Sequence, residues 1–130
     1  MPAGLPDAYA AVLDDAELEF RREVLATVEA VPGLSPRQYF ATRDGATREL
    51  YQVLGSRGWL SLSWPEAHGG RGVPVSYEFL LWDTLAYLRA ARPDIGPGMI
   101  AHVLIDHGRA DQQQQILPGL AAGSDRKSVV

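Results

Sequence analysis

The sequence contains no cysteine. Disulfides, thiolate metal sites and thiol nucleophiles are thereby excluded, and a reducing, cytoplasmic setting is the expected one. Lysine is nearly absent: Lys127 is the only one, so almost all positive charge is arginine. No apolar run reaches the roughly 18 residues that a membrane-spanning helix needs. The first residues, MPAGLPDAYAAVLDD, lack the basic segment and apolar core of a signal peptide. A net charge of −4 offers little attraction to nucleic acid or to an anionic membrane surface. Alternating apolar and polar residues do not persist anywhere for a useful strand length, which leaves helices as the building element.

What is present fits one all-α domain. The chain has 130 residues, 46% of them apolar, enough to bury a sizeable core. The stretch around which the rest is arranged is GWLSLSWPEAHGGRG, residues 58–72. Its glycines and proline rule out a regular helix. Trp59, Leu60, Leu62 and Trp64 are too apolar for an open loop, so the segment must lie against a core.

Two helices are expected before this loop and three after it. The first begins at Asp14–Asp15, with Glu17 in capping-box position, and carries Leu18, Val24, Leu25, Val28 and Val31 at three- and four-residue spacings. Glu17 and Arg21 are expected to pair on its wet face. Pro32–Gly33 stops it. Ser35–Arg43 reads as a short turn holding Tyr39 and Phe40. The second helix runs from Asp44 to Leu54, with Ala46, Leu50, Val53 and Leu54 on one face and Gly55 as a left-handed C′ residue. The third, Pro74 to Ala91, is apolar around most of its circumference and should be covered on more than one side. The fourth starts within Asp94–Gly98 and ends at His107. The fifth spans Ala110 to Leu120, includes the run Gln112–Gln115, and should be bent or shortened by Pro118. The domain boundaries expected are 1–13 for a flexible N-terminus, 14–123 for the helical domain and 124–130 for a tail.

Chemistry-bearing residues do not form a recognisable constellation. His102 and His107 are five apart, roughly 140° around a helix, so they do not converge on a metal; none is expected. Gly69-Gly70-Arg71-Gly72 lacks the Lys-Ser/Thr pair of a P-loop and the preceding strand of a dinucleotide fold. The simpler reading is a tight turn into the third helix. Carboxylates such as Asp14, Asp15, Glu19, Glu23 and Glu29 fall on wet faces, and no serine has a His–Asp support, so no catalytic residue is assigned.

The ordered set of features nevertheless resembles the N-terminal helical domain of the flavin-dependent acyl-CoA dehydrogenases. The residues are Gly58-Trp59, Trp64-Pro65-Glu66, Gly69-Gly70-Arg71-Gly72 opening an apolar helix, His107-Gly108, Asp111-Gln112-Gln113, Ile116-Leu117-Pro118 and Ala121-Ala122-Gly123. The resemblance covers about residues 15–123. It implies an oxidoreductase that dehydrogenates acyl-CoA thioesters at the α,β-carbons, built from this domain, a middle β-barrel and a C-terminal four-helix bundle. It implies FAD as cofactor of the complete enzyme, held mainly by the other two domains, with a catalytic Glu in the C-terminal half. This chain lacks the barrel, the bundle, that Glu and most of the FAD site, so it is expected neither to bind FAD nor to catalyse alone. By position, the resemblance puts Ile95 and Met99 on a wall of the acyl-chain pocket, with plain core packing as the alternative. Ser124 matches a ligand-contacting serine of the family if the tail, Ser124-Asp125, derives from the family's T-E-P-x-x-G-S-D motif, whose Thr-Glu-Pro is missing here. Acyl-CoA and the absent domains, or a separately encoded partner subunit, are the implied partners. The competing reading is a non-catalytic helical interaction module that docks on such a subunit.

Overall fold

The computed structural model describes residues 11–31, 45–88, 90–91 and 96–124. Among them are five α-helices and no strand: α1 (Asp15–Glu29), α2 (Gly45–Ser56), α3 (Val75–Tyr87), α4 (Ala101–His107) and α5 (Ala110–Ala122). The expected turn at Ser35–Arg43, the Pro32–Gly33 stop and Ile95 lie outside the described residues.

Helix α1 starts as its sequence dictates. The Asp14 carboxylate accepts from the Glu17 backbone N–H at 2.8 Å, and Glu17 accepts from the Asp14 N–H at 3.1 Å. Two donors that a helix N-terminus leaves unpaired are thus satisfied reciprocally. Glu17 is therefore committed to the cap, and Arg21 is not on a wet face: it is 5% exposed, buried beside Phe20 and Val24 in the sequence of the inner face. The expected Glu17–Arg21 surface pair is corrected accordingly.

The loop after α2 straddles two clusters of buried side chains. Trp59, Leu60 and Leu62 join Phe20, Val24 and Val28 of α1, Leu50 and Leu54 of α2, and Leu81 and Leu85 of α3. The Phe20 ring meets Trp59 and Tyr77 edge-on at 5.5 and 5.3 Å, the favoured aromatic geometry. Trp64 belongs instead to a second cluster with Ala101 of α4 and Leu117 and Leu120 of α5.

Gly55 is not the left-handed residue that ends α2. The helix continues to Ser56, and Gly58, at φ 73°, takes that conformation. Gly55 has a different task. A Cβ there would stand 2.0 Å from the Ala122 carbonyl oxygen, and one on Gly123 would stand 2.2 Å from that of Tyr51. Helices α2 and α5 thus meet backbone to backbone, which only glycine permits. Pro118 does not end α5, which runs on to Ala122. Its missing N–H removes one helical bond, and the surrounding turns carry the helix past it.

Helix α3 departs from expectation most. It spans Val75–Tyr87, with Pro74 preceding it as the N-cap. Leu80, Leu81, Trp82, Thr84 and Leu85 are buried, but Val75, Phe79 and Tyr87 face outward, Phe79 being 66% exposed. The helix is covered on one side only among the described residues.

Two stability predictions follow from this packing. Ala normally favours a helix interior over Gly by up to about 1 kcal/mol. At position 55 the clash reverses the sign: Gly55→Ala should destabilise by about 1–3 kcal/mol in urea melts, and a raised midpoint would contradict the close crossing. The Thr84 hydroxyl is buried without a hydrogen-bond partner. Replacing it by a methyl of like shape should stabilise, so Thr84→Val is expected to gain about 1 kcal/mol in the same assay.

Candidate functional site

The loop that sequence reading singled out folds back on itself. The Arg71 N–H donates to the Ser61 carbonyl (3.2 Å), Gly72 to Trp64 (3.0 Å) and Val73 to Leu62 (3.1 Å). Gly69 donates to Glu66 and Gly70 to Pro65, each at 3.1 Å. Five consecutive amides, residues 69–73, are thus spent inside the loop. A phosphate cradle needs such amides free and convergent. The glycine segment is therefore a turn, as its sequence suggested. Gly70 serves close approach, since a Cβ there would sit 2.0 Å from the Trp64 carbonyl oxygen. Arg71 reaches away from any anion site: its guanidinium donates to the Arg57 carbonyl at 3.3 Å. The Ser63 hydroxyl donates to the Glu78 carboxylate, tying the loop to the first turn of α3.

The fourth-helix region has a feature that periodicity did not announce. Residues Gly96–Ile100 form a single π-helical turn that feeds directly into α4. Turns of this kind are frequent where a helix serves a functional site. Pro97 is buried, and its carbonyl accepts from the Trp64 indole N–H at 3.1 Å. Met99 projects outward, 61% exposed, and Val103, one helical turn on, is 55% exposed. Ile100, Leu104 and Ile105 turn the other way, onto the second cluster. Met99 is thus on an apolar outer face and not in the core.

The opposite end of α4 is closed by the glutamine run. The Gln113 side-chain amide donates to the Leu104 carbonyl at 2.8 Å, with longer contacts to those of Ile105 and Gly108 at 3.4 Å. Gln113 is a cap for α4, while Gln114 and Gln115 are exposed. Spacing alone gives no hint of this, because the carbonyls it satisfies belong to another helix.

Ser124 closes α5. Its N–H and its hydroxyl both donate to the Gly119 carbonyl, at 3.2 and 3.3 Å. Gly123 before it is left-handed, at φ 75°. The serine lies at the far end of α5 from the Gln113 cap and is exposed.

A cleft of about 410 Å³ opens between the glycine turn and α5, bordered by His68, Gln113, Gln114, Leu117 and Ala121. His68 is its one titratable group, with neither a carboxylate nor a nucleophile beside it. His102 is half-buried and His107 exposed, and no cluster of metal-ligating side chains exists among the described residues. No helix of the described residues is long and apolar enough to cross a membrane. Among the described residues the arrangement offers surface and shape, and no assembled acid, base or nucleophile.

The same features place the chain among known proteins. The family model for the N-terminal domain of acyl-CoA dehydrogenases matches residues 14–124. The acyl-CoA dehydrogenase IpdE1 of Mycolicibacterium smegmatis is 35% identical over 75 residues, covering 55% of this chain and 19% of that protein. Among solved structures, the ChsE4–ChsE5 complex of Mycobacterium tuberculosis superposes with a TM-score of 0.73 at 25% identity, over 85% of this chain and 28% of that one. The Tcur3481–Tcur3483 steroid ACAD does so with a TM-score of 0.72 at 27% identity, over 85% of this chain and 30% of that one. The chain thus spans about a fifth of the curated relative and under a third of either solved chain. It belongs to the acyl-CoA dehydrogenase family, of which it represents the N-terminal helical domain.

Proposed function

We propose that this chain supplies the N-terminal domain of a flavin-dependent acyl-CoA dehydrogenase, that it is inactive alone, and that the Met99–Val103 face forms part of the acyl-chain wall. The carrying observation is an excess of outward apolar surface on two neighbouring segments of sequence: Val75, Phe79 and Tyr87 on α3, and Met99 and Val103 at the π-turn and α4. Side chains of this size stand exposed on a helix when another body is meant to cover them. The exposed side of α3 is the docking face for the rest of the enzyme, and Met99 borders the substrate. Ile95, four residues earlier, belongs to the same wall by sequence position. Ser124 has a structural duty at the end of α5, and any ligand contact by it requires the remaining domains.

FAD, the cofactor of the family, finds no fitting cradle among the described residues. The glycine turn at residues 69–73 uses its N–H groups internally, and the cleft at His68 is lined without Arg or Lys to meet a pyrophosphate. The dehydrogenation chemistry then belongs to domains outside this chain. A second reading, docking onto a separately encoded subunit, is favoured by the solved relatives that are named as two components, ChsE4–ChsE5 and Tcur3481–Tcur3483.

The purified chain should be colourless and should fail to reduce a dye with octanoyl-CoA; a yellow, active preparation would sink the proposal. Phe79→Asp should leave the stability of the chain within about 0.5 kcal/mol, because the site is exposed. The same change should abolish association with the barrel and bundle domains, measured by co-purification. Retained association would remove α3 as the docking face.

A further inference from the structure

We propose that Trp64 is a positioning residue for the ligand-facing turn: its indole N–H, bonded to the Pro97 carbonyl, fixes the π-turn and so sets where Met99 and Val103 point. The inference rests on the acyl-wall reading given above.

Trp64 is 1% exposed and packs with Ala101, Leu117 and Leu120. Its backbone is held as firmly as its ring. The Trp64 N–H donates to the Ser61 carbonyl at 3.3 Å, its own carbonyl accepts from Gly72 at 3.0 Å, and Gly70 lies against it with no room for a side chain. The donor is therefore rigidly mounted. The acceptor lies in a turn whose own sequence does not favour it. A π-turn is a poor helical conformation in isolation, and Gly96, Pro97 and Gly98 are weak helix formers. Gly98 is exposed, and a Cβ there would meet nothing within 4 Å. The 3.1 Å indole bond reaches it from 33 residues away in sequence. A buried donor of this kind contributes both a bond and a penalty for any state that leaves the indole N–H unpaired. The turn then has one favoured geometry, and Met99 one favoured direction.

Two sequence facts make this directly measurable. Met1 and Met99 are the only methionines, and Trp59, Trp64 and Trp82 the only tryptophans. A sample carrying ¹³C in the methionine methyls gives two signals, and the ¹⁵N-indole spectrum gives three. In the unaltered chain the Trp64 indole N–H should exchange slowly, as a buried, bonded donor. Fast exchange there would overturn the proposal without any variant. In Trp64→Phe, backbone exchange at residues 99–103 should rise roughly tenfold relative to α1, and the Met99 methyl signal should move toward that of Met1. Val28→Ala, a destabilised control in the other cluster, should speed α1 at least as much as the turn. If Trp64→Phe merely behaves like that control, the positioning role fails.

Millimolar octanoyl-CoA, added to the labelled chain associated with unlabelled barrel and bundle domains, separates this outcome from the acyl-wall reading. It should shift the Met99 methyl in the unaltered chain and shift it severalfold less in Trp64→Phe. An equal shift in both overturns the role of Trp64 and leaves the wall standing. No shift in the unaltered chain overturns the wall, and with it the purpose assigned to Trp64.

Discussion

Everything in this domain depends on one loop having its two tryptophans in different cores. Trp59 sits among α1, α2 and α3, while Trp64 sits between α4 and α5. The four residues between them bridge the two halves, and the part of the loop that follows pairs its own amides, those of Arg71 and Val73 donating back to the Ser61 and Leu62 carbonyls of the crossing. An apolar loop is normally a contradiction, because burying irregular backbone strands polar groups. Here the contradiction is removed by internal pairing and by glycine at the point where backbone meets backbone.

The second constraint is the near-contact of α2 with α5. With Gly55 against Ala122 and Gly123 against Tyr51, the two helices approach as closely as their main chains allow. The crossing brings the last helix of the domain back onto the second, and so closes the structure around Trp59 and Leu60. The fold has little tolerance there and much on the outer side of α3, where large apolar side chains stand in solvent.

The sequence made the local devices legible. The Asp14–Glu17 capping box, the helical periods of α1 and α2, and the glycine punctuation of the loop all depend on neighbours within a few residues, and all were readable. What was misread depends on distant partners. Gly55 looked like a helix end because helix ends favour glycine; its true reason lies 67 residues away in Ala122. Arg21 looked solvated because its neighbours are charged. Helix α3 looked central because its side chains are apolar, and composition cannot say whether the covering surface lies in the same chain. The π-turn has no periodic signature at all. In the proposed site, Met99 rests on family resemblance alone, and the Trp64 indole N–H has its acceptor 33 residues away.

Helix α4 has only seven residues, too few to persist on local forces alone. It is gripped at its start by an indole and at its end by the Gln113 amide. A strut clamped at both ends leaves its outward side chains with no part in holding it. Positions 99 and 103 can therefore vary in size and shape at little cost to folding. Natural variation can reshape this outer face while the scaffold beneath stays the same, so that surface and stability evolve on separate residues.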